Sequence, residues 1–494
     1  MAGVEINNPC RSFPPEVEDR EDESRWIHDY SGRLCFYPDF LGKCGDSRPE
    51  KIVPYYSRLS ETFINYNAPV FDAFKVAVQA IPTRKTVFLT LETQNMIGAF
   101  PLRSPLSGQW KHYVMIHPRQ GWDNFGRMMS SMGMKRVPAL EPLPLYQYSS
   151  RDIPTWVIAS IVITRIEELF KDLARKFQSR REYLSTPKGR IDWREYITRQ
   201  LPKLKLLDIP CDCSVLEDHR ELMAYIRYTL SKVQNELLNV KSPSPIVSLL
   251  LARIDRLMLS LAGYTAVRPP VGALTPILFG KNSVSSRFLS GLEAMEWVNE
   301  DRGLAGDNMF SGLSWSLDIN EFFEAYVETI AEKATVLMGG ILKTGRNYET
   351  SIDMDWEFGG GLAQKHLRPD FVIERGNETI ILDAKYKGYW HELNRHTWTG
   401  RERIDAKIAR DSFRDDVLQV LAYSTCFRSE KIKVILVYPC TTEEYDHLRE
   451  IGMLHQKAFV GERNVEVIRT LVPMSGMIDA PARELSEYLL ADVG

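Results

Sequence analysis

The pair Gly376-Asn377, set between two runs rich in β-branched and aromatic residues, constrains this chain more than any other feature: it accepts the positive φ angles that a two-residue hairpin turn requires. Residues 367–387 therefore read as a β-hairpin. With Gly376 and Asn377 as the loop, Arg375 pairs with Glu378, and counting outward sets Asp370 opposite Asp383. Two carboxylates then face each other with Cβ atoms roughly 5 Å apart. Side chains alternate along a strand, so Lys385 shares the face of Asp383 and lies diagonal to Asp370.

Like charges directly opposite on a sheet are destabilising. A divalent cation is the simplest relief, and oxygen ligands suit Mg²⁺ or Mn²⁺. Lys385 would then stand beside the ion, placed to orient or help deprotonate a water, or to stabilise charge on a phosphate. The plainer account makes Asp370 the start of a strand and Asp383 and Lys385 a solvated face. Against it, Asp383 ends the apolar run Ile380-Ile381-Leu382, where an unmatched charge is expensive.

Pro369-Asp370 followed by Asp383-Ala384-Lys385 matches the PD-(D/E)XK nuclease signature. Arg368-Pro369-Asp370 and Leu382-Asp383-Ala384-Lys385-Tyr386-Lys387 more closely resemble the McrC family, nuclease subunits of modification-dependent restriction systems. The resemblance implies phosphodiester hydrolysis in duplex DNA, with Asp370, Asp383 and the Ala384 carbonyl holding one or two Mg²⁺ ions. It also implies a partner, a McrB-like AAA+ GTPase hexamer that recognises the target.

Composition bears on that division of labour. A net charge of −3 gives no global attraction to DNA, so any DNA surface is a local patch or is shared with a partner. Neither Gly280-Lys281-Asn282-Ser283 nor Gly359-Gly360-Gly361 completes a phosphate-binding loop, which leaves nucleotide hydrolysis to another chain. The seven cysteines are scattered, with Cys211 and Cys213 the only close pair and no histidine cluster to complete a zinc site. No run of about 18 apolar residues marks a membrane span and no signal-peptide pattern opens the chain, so a cytoplasmic location and no membrane partner are expected.

The fold class expected is multidomain α+β, in four blocks. Residues 1–80 form an N-terminal extension, polar and charged over its first 50 or so residues, with the run Glu16 to Arg25 a flexible or loosely packed arm. Residues 81–150 form a β-rich domain, from the period-two alternation of 86–91 and 110–116. Its segments Ile97-Gly98-Ala99-Phe100, Val114 to Arg119 and Phe125 to Met132 resemble the N-terminal region of the same family, with Arg119 where Lys is usual. The resemblance makes this the partner-docking domain, with Arg84, Lys85, Lys111 and Arg119 as candidates to reach the partner's nucleotide. Residues 151–305 read as a helical linker domain. There Gly189 permits a turn and Asp192 caps the following helix.

Residues 306–494 form the α/β nuclease domain. Asp318 caps a helix on which Glu324 borders an apolar stripe. The segment resembles the family's Asp-Met-x-x-Leu-Phe-Glu motif, which makes Glu324 a further metal ligand or water-orienting carboxylate. Trp390 and Trp398, among basic residues of a long loop to Arg410, suit phosphate and base contacts. Gln419 and Tyr423 share a helix face by their spacing of four, and this element resembles one in which the Gln supports the active site. The candidate catalytic set is thus Asp370, Asp383, Lys385, Glu324 and Gln419, the metal set Asp370, Asp383, Glu324 and Ala384. Two other readings fit the chain: a stand-alone PD-(D/E)XK defence or repair nuclease, and a non-catalytic DNA-binding or assembly subunit.

Overall fold

The computed structural model describes residues 27–491 apart from 31–33, 47, 142–153, 174–176, 217–219, 241–243, 271, 273, 275–284, 300–313, 355–364, 388–399 and 461–464. The protein is mixed α/β with several sheets. It divides into two compact units, residues 1–146, 244–246 and 313–494 in one, and 147–243 and 247–312 in the other. No helix among the described residues is long and apolar enough to cross a membrane.

The first unit opens with β1 (Leu34–Phe36), α1 (Pro49–Ala73), β2 (Val76–Pro82) and β3 (Val87–Thr93), the strands forming an antiparallel sheet in the order β1-β3-β2. The polar first 50 residues thus include folded structure, and the arm expected at residues 16–25 lies outside the described residues. Leu34 and Phe36 pair with Leu91 and Leu89, and the buried Phe36 and Ile27 bury enough apolar surface to hold it. Next come β4 (Met96–Arg103), β5 (Trp110–Ile116), α2 (Gly121–Ser131) and β6 (Ala139–Leu140).

The second unit contains α3 (Thr155–Leu173), β7 (Phe177–Leu184), β8 (Arg190–Ile191), β9 (Ile209–Leu216), α4 (Arg220–Leu238), α5 (Pro245–Ser260) and α6 (Ser286–Asn299). The middle, expected to be mostly helical, carries a sheet beside its helices. β7, β9 and β8 make a three-stranded sheet, with Phe177 paired to Leu216 and Leu184 to Ile209. Arg181 ties it together through Asp192, Glu195 and Asp212. Gly189 takes φ +79°, and the Asp192 side chain accepts from the Glu195 amide, capping a short helical turn as its sequence position predicts. α3 and α6 approach closely at Gly291, where a Cβ would lie 2.5 Å from that of Leu169.

The first unit resumes at β10 (Trp315–Asp318), which joins the N-terminal strands in the order β5-β4-β10-β6. Gly98 of β4 makes room for it, since a Cβ there would sit 2.1 Å from the Trp315 carbonyl oxygen. Then follow α7 (Ile319–Met338), β11 (Ile341–Thr344), a small ribbon of β12 (Ile352–Asp353) and β13 (His366–Leu367), β14 (Phe371–Arg375) and β15 (Glu378–Ala384). The chain ends with α8 (Gly400–Ser424), β16 (Lys431–Cys440), α9 (Thr442–Glu450), β17 (His455–Phe459), β18 (Val465–Pro473) and α10 (Asp479–Ala491). These strands build a six-stranded sheet, β11-β14-β15-β16-β18-β17, with β15, β16 and β18 mutually parallel. Alternate residues of β16, Val434, Leu436 and Tyr438, meet Val420 and Tyr423 of α8 and Tyr445 of α9 in the core on one face. Residues 400–410, expected as loop, are the first turns of α8.

Candidate active site

The turn between β14 and β15 uses two residues. Of these Gly376 takes φ +58°, the conformation that glycine adopts without steric cost. Pairing runs from Arg375 with Glu378 to Phe371 with Leu382, the register the turn dictates. Asp370 comes one residue before this ladder and Asp383 one residue beyond Leu382. Asp370 Oδ2 accepts from the Ala384 amide at 2.8 Å, which docks the carboxylate onto the end of β15.

Asp383 is 1% exposed. Its Oδ2 accepts no aligned hydrogen bond among the described groups and meets the Lys385 ammonium at 2.5 Å as an ion pair. Lys385 Nζ also donates to Gln419 Oε1 at 2.9 Å, and Gln419 Nε2 donates to the Tyr423 hydroxyl at 2.7 Å. The four-residue spacing on α8 thus turns Gln419 toward the lysine while Tyr423 braces it from behind. The hairpin end and α8 bring Asp370, Asp383, Lys385 and Gln419 together.

The electrostatics are those of crowded carboxylates. Burial pushes the Asp370 carboxyl well above the usual range, and the charges of Asp383 and Glu324 push it the same way. Burial also raises Asp383, against the opposing pull of Lys385. At Lys385 burial disfavours the charged form, but Asp383, with Asp370 and Asp416, outweighs it and holds the ammonium above its ordinary value. Glu324 on α7 is half-buried and raised chiefly by burial, with Arg136 and Arg368 pulling the other way. Its charge reaches Asp370, yet no three His, Cys, Asp or Glu side chains converge on one metal position among the described residues. The donors fit a hard cation held by one or two carboxylates, with water and substrate completing its shell. Ionising both aspartates here is costly without a cation.

Two features were not foreseen from the sequence. Asp416 is buried, takes the Lys387 ammonium at 2.5 Å and accepts from the Tyr438 hydroxyl at 3.0 Å. It lies three residues before Gln419, so the i, i+3 spacing was the available signal. Arg119, one of four equal candidates to reach a partner's nucleotide, packs inward in this chain. Its guanidinium covers the Tyr386 ring at 4.4 Å and pairs with the buried Asp29 at 3.4 Å, whereas Arg84, Lys85 and Lys111 are exposed. Residues 276–284, 355–364 and 388–399 lie outside the described residues, and with them Gly280 to Ser283, Gly359 to Gly361, Trp390 and Trp398.

The chain matches the family described as McrBC 5-methylcytosine restriction system component over residues 91–439, well over half its length. No curated protein matches it. Two solved structures from Thermococcus gammatolerans are similar. One is a refined half-complex from a tetradecameric assembly of McrB AAA+ hexamers with bound McrC, 14% identical, with a TM-score of 0.40, covering 94% of this chain and 99% of that one. The other is a cryo-EM structure of the McrBC complex, 13% identical, with a TM-score of 0.24, covering 61% of this chain and 85% of that one.

Proposed function

The chain belongs to the McrBC family of 5-methylcytosine restriction system components, and from that premise we propose that it is the cutting subunit, a Mg²⁺-dependent PD-(D/E)XK endonuclease acting on duplex DNA. The observation that carries this is the convergence of Asp370, Asp383 and Lys385 at the end of one hairpin. Asp370 and Asp383, with Glu324 and the Ala384 carbonyl, would hold Mg²⁺ or Mn²⁺. Such an ion supplies Lewis acidity toward the scissile phosphate and lowers the pKa of a bound water.

The chain's own residues set the rest. Lys385, paired with Asp383, stands where its ammonium can stabilise charge developing on the phosphate or orient the attacking water. Gln419, steadied by Tyr423, limits the directions the ammonium can take. Target recognition and nucleotide hydrolysis fall to a McrB-like AAA+ GTPase hexamer.

Plasmid cleavage by the purified chain with Mg²⁺, with and without its AAA+ partner, tests the proposal. Cleavage that needs the partner and disappears in Asp383→Ala is expected. Unchanged cleavage by Asp383→Ala would remove the catalytic assignment, and efficient cutting without any NTPase would favour a stand-alone nuclease.

A further inference from the structure

Tyr386 lies between Lys385 and Lys387 on the segment leaving β15, and it is gripped by residues from the distant N-terminal part of the same unit. Its hydroxyl accepts from Arg119 Nε at 3.1 Å, and the Arg119 guanidinium stacks on its ring. Tyr30 and Phe323 pack on that ring at 5.8 and 5.6 Å between centroids. Arg119 is fixed in turn by Asp29, whose side chain is fully buried: Oδ1 accepts from the Arg119 amide at 2.7 Å and Oδ2 lies 3.4 Å from Nε. The Asp29 amide donates to the His117 carbonyl and the His117 amide to the Ile27 carbonyl, at 3.0 and 2.9 Å, so residues 27–29 and 117–119 are one rigid piece.

A buried ion pair is a weak source of stability, and an apolar cluster of equal volume would serve the fold as well. What a satisfied buried network does supply is a single arrangement of the groups it holds. Its location gives that arrangement a use. Lys385 and Lys387 turn toward α8, where Gln419 and Asp416 receive them, while Tyr386 turns to Arg119. The Lys385 amide donates to the Val437 carbonyl at 2.8 Å. The backbone carrying the ammonium is thus clamped between the central sheet and the Arg119 stack.

We propose that Asp29, Arg119 and Tyr386 are positioning residues for Lys385, and that the cutting centre is complete only when the 27–30 and 117–119 segments are docked against it. This rests on the nuclease reading above. Displacing a catalytic group by about 1 Å costs on the order of a hundredfold in rate, and removing one anchor while others remain should cost about tenfold. Tyr386 is the sharpest handle, because Phe keeps the ring and removes only the hydroxyl.

The test uses the full chain with its AAA+ partner and compares Tyr386→Phe, Arg119→Met, Arg119→Lys and Asp383→Ala. Cleavage by Tyr386→Phe and Arg119→Met should fall about tenfold or more in kcat with KM for DNA unchanged, and Arg119→Lys should recover part of it. Amide hydrogen exchange over residues 383–388, measured on the chain alone without metal or DNA, should quicken in both variants. A merely structural role would lower the melting temperature and leave kcat per folded molecule intact. If Asp383→Ala cuts normally, the nuclease reading falls. If Asp383→Ala is dead while Tyr386→Phe cuts at the wild-type kcat with unchanged exchange at 383–388, the positioning role falls and the nuclease reading stands.

Discussion

Asp370→Asn separates what the site needs for chemistry from what it costs the fold. Asp370 and Asp383 stand at neighbouring positions across the end of the hairpin, roughly 5 Å apart. At an effective dielectric of about 20 their mutual repulsion is about 3 kcal/mol. Lys385 and the partial exposure of Asp370 offset part of this, leaving about 1–2 kcal/mol of destabilisation. Asn keeps an oxygen for the Ala384 amide and removes the charge. In chelator near neutral pH the variant should therefore melt higher than wild type, by on the order of 2–6 °C, while losing cleavage. Because burial and Asp383 raise the folded-state pKa of Asp370, the repulsion is present above that pKa and absent below the ordinary carboxylate value of about 4. The gain should accordingly vanish in acid. Adding Mg²⁺ should raise the wild-type midpoint and move the variant much less. Differential scanning calorimetry reads all three quantities. A lower midpoint for Asp370→Asn in chelator, or an equal response to Mg²⁺, would refute the electrostatic account of the site.

The remaining predictions concern parts of the same unit away from the site. Burial lowers the pKa of His455 to about 4; its Nδ1 lies 2.8 Å from Thr470 Oγ1 and its ring stacks on Tyr488. The unfolded chain binds a proton near pH 6.5 that the folded chain refuses, so the stability involved is full above about 6.5 and is lost as pH falls toward 4, up to about 3 kcal/mol. Denaturant unfolding between pH 7 and 5 should show this slope and a flatter one in His455→Gln; equal slopes would discount His455. Lys433, 3% exposed on the central strand, sits 2.9 Å from Glu378 and donates to the Leu489 carbonyl. Lys433→Met should cost up to about 3–5 kcal/mol, because Glu378 keeps only its longer 3.7 Å contact with Arg375, and Lys433→Met with Glu378→Gln should recover much of it in a double-mutant cycle. Additive losses would mean that the two residues act independently.

What the sequence made legible was local. A two-residue turn and a period of two fix the register that joins Asp370 to Asp383. A spacing of four places Gln419 with Tyr423, and an Asp before an apolar run marks the cap at Asp318, whose side chain accepts from the Asn320 and Glu321 amides. What stayed hidden was made by distant pairing. β7 carries Arg180, Arg181 and Glu182 and looks like the basic end of a helix; only its match to β9, with Arg181 answered by three carboxylates, makes it a strand. β10 likewise becomes a strand because Gly98 leaves room for it. The Asp29, Arg119 and Tyr386 contacts join residues 90 and 267 positions apart, and no periodicity can announce such a pairing.

The charge pattern around the hairpin end also bears on the proposed cation site in a chain with net charge −3. Asp416 is answered by Lys387, Asp383 by Lys385 and Asp29 by Arg119, each through an ion pair. At Glu324, Arg136 and Arg368 pull against burial and the charges of Glu321 and Glu328. Asp370 accepts from the Ala384 amide and makes no ion pair among the described groups, while Asp383 and Glu324 press on it and Lys385 pulls the other way. The negative charge without an ion pair among the described groups is thus centred on Asp370 and Glu324. A general acidic surface would repel the DNA backbone, whereas a few unpaired carboxylates among ion pairs concentrate the attraction for a small divalent ion. Lys387→Met removes one cation from Asp416 and none of the proposed ligands, so Mg²⁺ affinity measured by calorimetry should fall less than in Asp370→Asn, and an equal loss would refute the charge account.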